Sequence, residues 1–160
     1  MIKLRKRYNR PGTVLFYALS CLALAMTLAV GGFFVYTLAL RTSYRAMALE
    51  INDAFLAGTS VTVARGEDSF PVTPESVEYY NKFLLDRNTA VFGRKRAEPG
   101  DTGITLVLDG GQLTFTGADD GTAIAVRWSS PEKDKSYIVR SQYTFNQLTA
   151  YYLNLKRKAE

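Results

Sequence analysis

Chemistry in this chain of 160 residues falls to carboxylates, phenols and cations, because it holds fifteen Asp and Glu, ten Tyr, one Cys and no His. Without imidazole there is no Ser-His-Asp or Cys-His nucleophile and no His-ligated metal. Cys21 lies inside an apolar run and has no second thiol for an intramolecular disulfide or a cluster. Asp109-Gly110-Gly111 and Asp119-Asp120-Gly121 join acids to glycine. A calcium loop needs a longer ladder of acids closed by a glutamate, so both segments read as turns. Glu75, Glu78 and Asp86 fall on or near one helix, at positions expected to face solvent. No glycine pattern sits between a strand and a helix with a following lysine, as a phosphate cradle requires. On these grounds no catalytic residue, metal ligand or cofactor is assigned, and a non-enzyme is expected. Paired carboxylates meeting only in three dimensions would be the exception.

Two clusters remain that could recognise a ligand. Tyr79, Tyr80, Tyr143, Tyr151 and Tyr152 fall on two expected helices, and Arg94-Lys95-Arg96 is a dense basic run in a loop of the C-terminal part. Tyr80, Tyr151 and Tyr152 together with Arg94, Lys95 and Arg96 form the candidate binding surface. The phenols would line a groove for a peptide or glycan, and the basic loop would meet an anionic polymer or headgroups. The simpler reading makes the tyrosines core and rim residues and the basic run a solvated loop.

The net charge of +5 belongs to one end of the chain. Lys3, Arg5, Lys6, Arg7 and Arg10 lie in the first twelve residues, which contain no acid. The rest carries fifteen basic residues against fifteen acidic ones, so the C-terminal part is formally neutral. A nucleic-acid surface would need a basic face, and no nucleic-acid partner is expected.

Residues 13–40 contain no charged side chain. A helix of 28 residues is roughly 42 Å long, against a hydrocarbon core about 30 Å thick. The segment is therefore expected to cross a bilayer, its excess length absorbed by tilt or by an apolar extension beyond the bilayer. Its length favours an uncleaved signal-anchor over a cleaved signal peptide, whose apolar region runs to about 7–15 residues. Ala18-Leu19-Ser20-Cys21 is a poor lipidation site because the helix continues past it. The basic leader with Gly12 is unlike a prepilin leader because Tyr17 stands where an assembly glutamate belongs. Five cations precede the segment and only Arg41 and Arg45 closely follow it, which predicts a cytoplasmic N-terminus and a C-terminal domain outside. Tyr17, Phe33, Phe34 and Tyr36 suit the two interfaces. Cys21, Ala25, Ala29 and Gly32 share a face of small residues, open to a helix of another membrane protein or of a second copy. The expected partners are thus the bilayer and, through that face, a second membrane helix.

The elements that must position the clusters follow from periodicity. Tyr44, Ala48, Ile51 and Phe55 recur on one helical face, so residues 41–58 form a juxtamembrane helix that is either a stalk or packed on the domain. Val61–Ala64 and Phe70–Val72 read as a hairpin around Gly66-Glu67-Asp68. Thr73-Pro74-Glu75 starts a helix with Thr73 as its cap, Val77, Tyr80, Phe83 and Leu84 as its apolar face and Asn88 as its end. Residues 89–102 read as a long connection. A four-stranded meander follows, with Ile104, Leu106 and Leu108, then Leu113 and Phe115, then Ile124, Val126 and Trp128, then Tyr137–Arg140. Residues 129–135 read as a polar loop. Thr144 and Gln147 match a capping box, and Phe145, Leu148, Tyr152 and Leu155 make the stripe of the last helix. The fold class is therefore α+β: a basic tail (1–12), a transmembrane helix (13–40), the juxtamembrane helix (41–58) and a domain (59–160). In that domain two amphipathic helices pack on a small antiparallel sheet made of a hairpin and a four-stranded meander.

Leu84-Leu85-Asp86-Arg87, Phe115-Thr116-Gly117 with Asp120-Gly121-Thr122-Ala123, and Tyr137-Ile138-Val139-Arg140-Ser141-Gln142 carry a resemblance over residues 73–155. The stretch resembles uncharacterised bacterial single-pass membrane proteins with a small extracytoplasmic α+β domain. The resemblance implies a bacterial cytoplasmic membrane and brings no activity with it. The expected function is a non-catalytic extracytoplasmic interaction or assembly protein. The alternatives are a sensory or binding module for a small ligand, peptide or cell-envelope polymer and, behind it, a carboxylate-dependent enzyme.

Overall fold

The computed structural model describes residues 11–58, 60–93, 103–118 and 122–160. It is α+β, with a long N-terminal apolar helix, two further α-helices and a seven-stranded antiparallel sheet among the described residues. The elements are α1 (Pro11–Ala57), β1 (Val61–Arg65), β2 (Asp68–Val72), α2 (Glu78–Leu84), β3 (Ala90–Gly93), β4 (Ile104–Leu108), β5 (Gly111–Gly117), β6 (Ile124–Ser129), β7 (Asp134–Arg140) and α3 (Phe145–Ala159). The strand order is β2-β1-β4-β5-β6-β7-β3. The chain divides into two compact units at residues 38 and 39.

The first unit is helical from Pro11, long and apolar enough to cross a membrane. Leu15, Phe16, Leu22, Leu28, Val30, Phe33 and Phe34 are all exposed within it. In the second unit the same helix changes character. Leu40, Tyr44, Met47, Ala48, Ile51 and Phe55 are buried, while Arg41, Arg45 and Asp53 are exposed. The choice between stalk and packed helix is thus decided for residues 39–57, whose apolar stripe lies in the core.

The sheet buries one face. Val63, Leu106, Leu113 and Trp128 are paired strand to strand, as are Ile104, Phe115, Val126 and Tyr137, and then Ile124, Val139 and Val91. Directly paired residues point to the same side, and every one of these eleven is buried. The alternate residues, among them Thr62, Thr105, Thr114, Ala125, Arg127 and Ile138, line the opposite side. There Arg127 holds Asp134 in a two-pronged contact at 2.9 and 2.8 Å. The expected hairpin and meander are one sheet, joined where β1 pairs with β4.

Four expectations need correction. The connection placed at 89–102 begins with a strand, β3, which pairs with β7 at the sheet edge and shifts register between Val91 and Gly93. Only Val91 of its four residues is buried, so no alternation marks it, and the strand exists because β7 offers an edge to pair with. The helix at Thr73 opens as a 3-10 turn, Pro74–Val77, and Thr73 makes no side-chain cap. Its hydroxyl instead meets the Ser76 hydroxyl at 3.0 Å. α2 stops at Leu84, short of Asn88, whose N–H donates to Asp86 Oδ1 at 3.0 Å within the following turn. The loop placed at 129–135 is shorter, because β6 runs to Ser129 and β7 starts at Asp134.

Other elements form as their sequence dictates. Thr144 Oγ1 accepts from the Gln147 N–H at 3.3 Å, and Gln147 Oε1 accepts from the Thr144 N–H at 2.8 Å. That reciprocal pair opens α3, and Lys156, Arg157 and Lys158 sit in its last turn, where cations favour the helix dipole. The β1–β2 turn uses Gly66 at φ 61°, a conformation that L side chains rarely adopt. At the β4–β5 turn the demanding glycine is Gly111. A Cβ there would stand 2.5 Å from the Ser129 carbonyl oxygen and 3.0 Å from the Trp128 ring.

Two substitutions test this packing in the full-length protein in detergent. Ile51→Ala removes a fully buried side chain and is expected to cost about 2–5 kcal/mol; a stalk would lose almost nothing. Gly111→Ala is expected to cost about 1–3 kcal/mol through overpacking against Ser129 and Trp128. Both are read from chemical unfolding followed by Trp128 fluorescence.

Candidate functional site

Three helical segments meet on the buried face of the sheet, and their contacts are rich in phenols. Val77, Tyr80, Phe83 and Leu84 of α2 are all buried. Tyr80 stacks on Phe115 at 5.5 Å between ring centres, and Phe83 meets the same ring edge-on at 5.5 Å. α3 lies against α2: Tyr80 Oη donates to the Leu148 carbonyl at 3.2 Å, and Tyr151 Oη donates to the Ser76 carbonyl at 2.7 Å. At the rim Tyr79 stacks on Tyr151 at 4.7 Å and meets Tyr143 edge-on at 5.4 Å.

The sequence cluster of five tyrosines is therefore brought together, but its members differ. Tyr80 and Tyr152 are core residues, only 0% and 2% exposed. Tyr79, Tyr143 and Tyr151 are half-buried and present ring surface at the α2–α3 rim. Tyr152 packs on Phe70 at 5.6 Å, with the Arg65 guanidinium 5.8 Å from its ring centre. Arg94, Lys95 and Arg96, the other half of the candidate surface, lie outside the described residues, as do Asp119, Asp120 and Gly121.

Burial pushes the Tyr80 phenol well up, with the neighbouring phenols adding to the effect. Tyr79, Tyr151 and Tyr152 move the same way, burial leading in each; the charge of Tyr143 adds at Tyr79, of Glu78 at Tyr151 and of Asp68 at Tyr152. These groups stay protonated at neutral pH. Of the four, Tyr80 and Tyr151 donate hydrogen bonds to backbone carbonyls.

A second polar centre joins α1 to the sheet. Glu50 accepts from Trp128 Nε1 at 3.2 Å and from Lys133 Nζ at 3.2 Å, with Lys135 Nζ at 4.0 Å. Burial works to raise the Glu50 carboxyl, but the hydrogen bonds from Trp128 and Lys133 and the charges of Lys133 and Lys135 outweigh it and hold the group below its ordinary value. Sequence reading missed this centre, since Glu50 and Trp128 are 78 positions apart. Nearby, Asn81 Nδ2 donates to Asn52 Oδ1 at 2.8 Å, fixing α2 to α1.

A third set is also new. The Tyr44 hydroxyl, Asp86 Oδ2 and the Thr89 hydroxyl are buried without hydrogen-bond partners among the described residues. Asp86 and Thr89 share one turn, closed by the Thr89 N–H on the Asp86 carbonyl at 3.3 Å. Burial, and then the charge of Asp86, push the Tyr44 phenol well up. Asp86 is thus partly enclosed, whereas its place in the sequence pattern put it in solvent; Glu75 and Glu78 are exposed as expected.

No family model matches the chain, and comparison with curated proteins and with solved structures finds no match.

The hydroxyls can be ranked by substitution. Tyr80→Phe and Tyr151→Phe each remove a bonded donor and are expected to cost about 0.5–1.5 kcal/mol. Tyr152→Phe removes a buried hydroxyl that has no partner among the described residues and is expected to be neutral or stabilising. Equal losses at all three, measured by chemical unfolding, would contradict the assignment.

Glu50 supplies a pH signature. A carboxyl lowered on folding contributes stability that is complete above its unfolded value and is lost as pH falls through its folded value. Glu50→Gln should therefore flatten the fall of stability on acidification. The change should stay below about 1 kcal/mol because the pair is partly solvated. Unfolding midpoints across the acid range, wild type against variant, check it.

Proposed function

We propose that this protein is a membrane-anchored, non-catalytic interaction or assembly protein, its N-terminus cytoplasmic and its C-terminal domain outside a bacterial cytoplasmic membrane. One observation carries the reading: the single helix α1 exposes an uncharged apolar stretch in its first unit and buries a periodic stripe in the second. Exposed apolar side chains over that length are favoured in lipid and costly in water. The five cations ahead of residue 13 set the orientation. The resemblance over residues 73–155 supplies the bacterial membrane.

The non-catalytic part rests on what the polar side chains of the domain already do. The Tyr80 and Tyr151 hydroxyls are bonded to backbone carbonyls, and Glu50 is held by an indole N–H and two ammonium groups. Such groups serve the fold, which suits a protein that works by presenting a surface.

A second reading is a binding module for a peptide or cell-envelope polymer, favoured by the half-exposed rim of Tyr79, Tyr143 and Tyr151. Stacked phenol faces offer apolar contact with polar tips to a chain laid across them. Tyr79→Ala with Tyr143→Ala would weaken such binding and leave an assembly interface elsewhere intact.

Cell fractionation and protease protection test the leading proposal. The full-length protein should stay in the membrane fraction after alkaline carbonate washing, and protease added to intact spheroplasts should digest residues 59–160. Recovery in the soluble fraction, or full protection of the domain, would overturn it. In-cell cross-linking should then trap the protein with a partner or a second copy, and a chain that stays monomeric would remove the assembly role.

A further inference from the structure

We draw no further inference here: the strongest candidate, the sheet face opposite the helices around Thr105, Thr114, Ala125 and Ile138, carries nothing because no feature among the described residues shows what covers it.

Discussion

One-sided burial of the sheet is the constraint on which the rest of the domain depends. Side chains alternate across a strand, so a slip of one residue would turn every inward group to the other side. The pairing of Val63, Leu106, Leu113 and Trp128 in one row, with Lys135 next to Trp128 on β7, is therefore a single choice made for five strands together. That choice sets Trp128 Nε1 within 3.2 Å of the Glu50 carboxylate on α1. It also demands Gly111, because the Trp128 ring and the Ser129 carbonyl occupy the space that a side chain would take. The ion-pair centre and the turn glycine are two consequences of one register.

Helix α1 carries two unlike surfaces. Residues 13–40 have no charge, while beyond them exposed Arg41, Arg45 and Asp53 alternate with buried Tyr44, Met47, Ile51 and Phe55. A helix that is apolar all round needs an apolar medium, and one with a single stripe needs a partner surface. The partner in the second unit is the sheet. Ser43 and Tyr44 meet Tyr137 on β7, Glu50 meets Trp128 on β6, and Asn52 meets α2. Losing these contacts would leave the sheet's apolar face partly bare, so residues 39–57 belong to the fold and are more than a spacer.

The phenols show how burial redirects chemistry. Ten tyrosines in a chain without histidine are the natural place to look for a reactive group. At Tyr44, Tyr80 and Tyr151 burial disfavours the phenolate and keeps the hydroxyl protonated. Tyr80 and Tyr151 use that donor to tie α2 and α3 together through backbone carbonyls. Ring surface remains at the rim, carried by Tyr79, Tyr143 and Tyr151.

Local periodicity alone determined much of this architecture. The uncharged run 13–40, the stripes of residues 44–55 and 77–84, the meander strands and the Thr144–Gln147 box are short-range patterns, and each is realised by atoms close in sequence. Strand β3 was illegible because four residues with one buried side chain carry no period, and the edge of β7 decides their conformation. The cap expected at Thr73 is absent: the chain enters α2 through a 3-10 turn, and the Thr73 hydroxyl turns to Ser76. The pairing of β1 with β4, the Glu50–Trp128–Lys133 centre and the enclosure of Tyr44 beside Asp86 join residues tens of positions apart. Contacts of that kind depend on register and on which helix covers which strand, quantities that arise only when the whole sheet closes over its core.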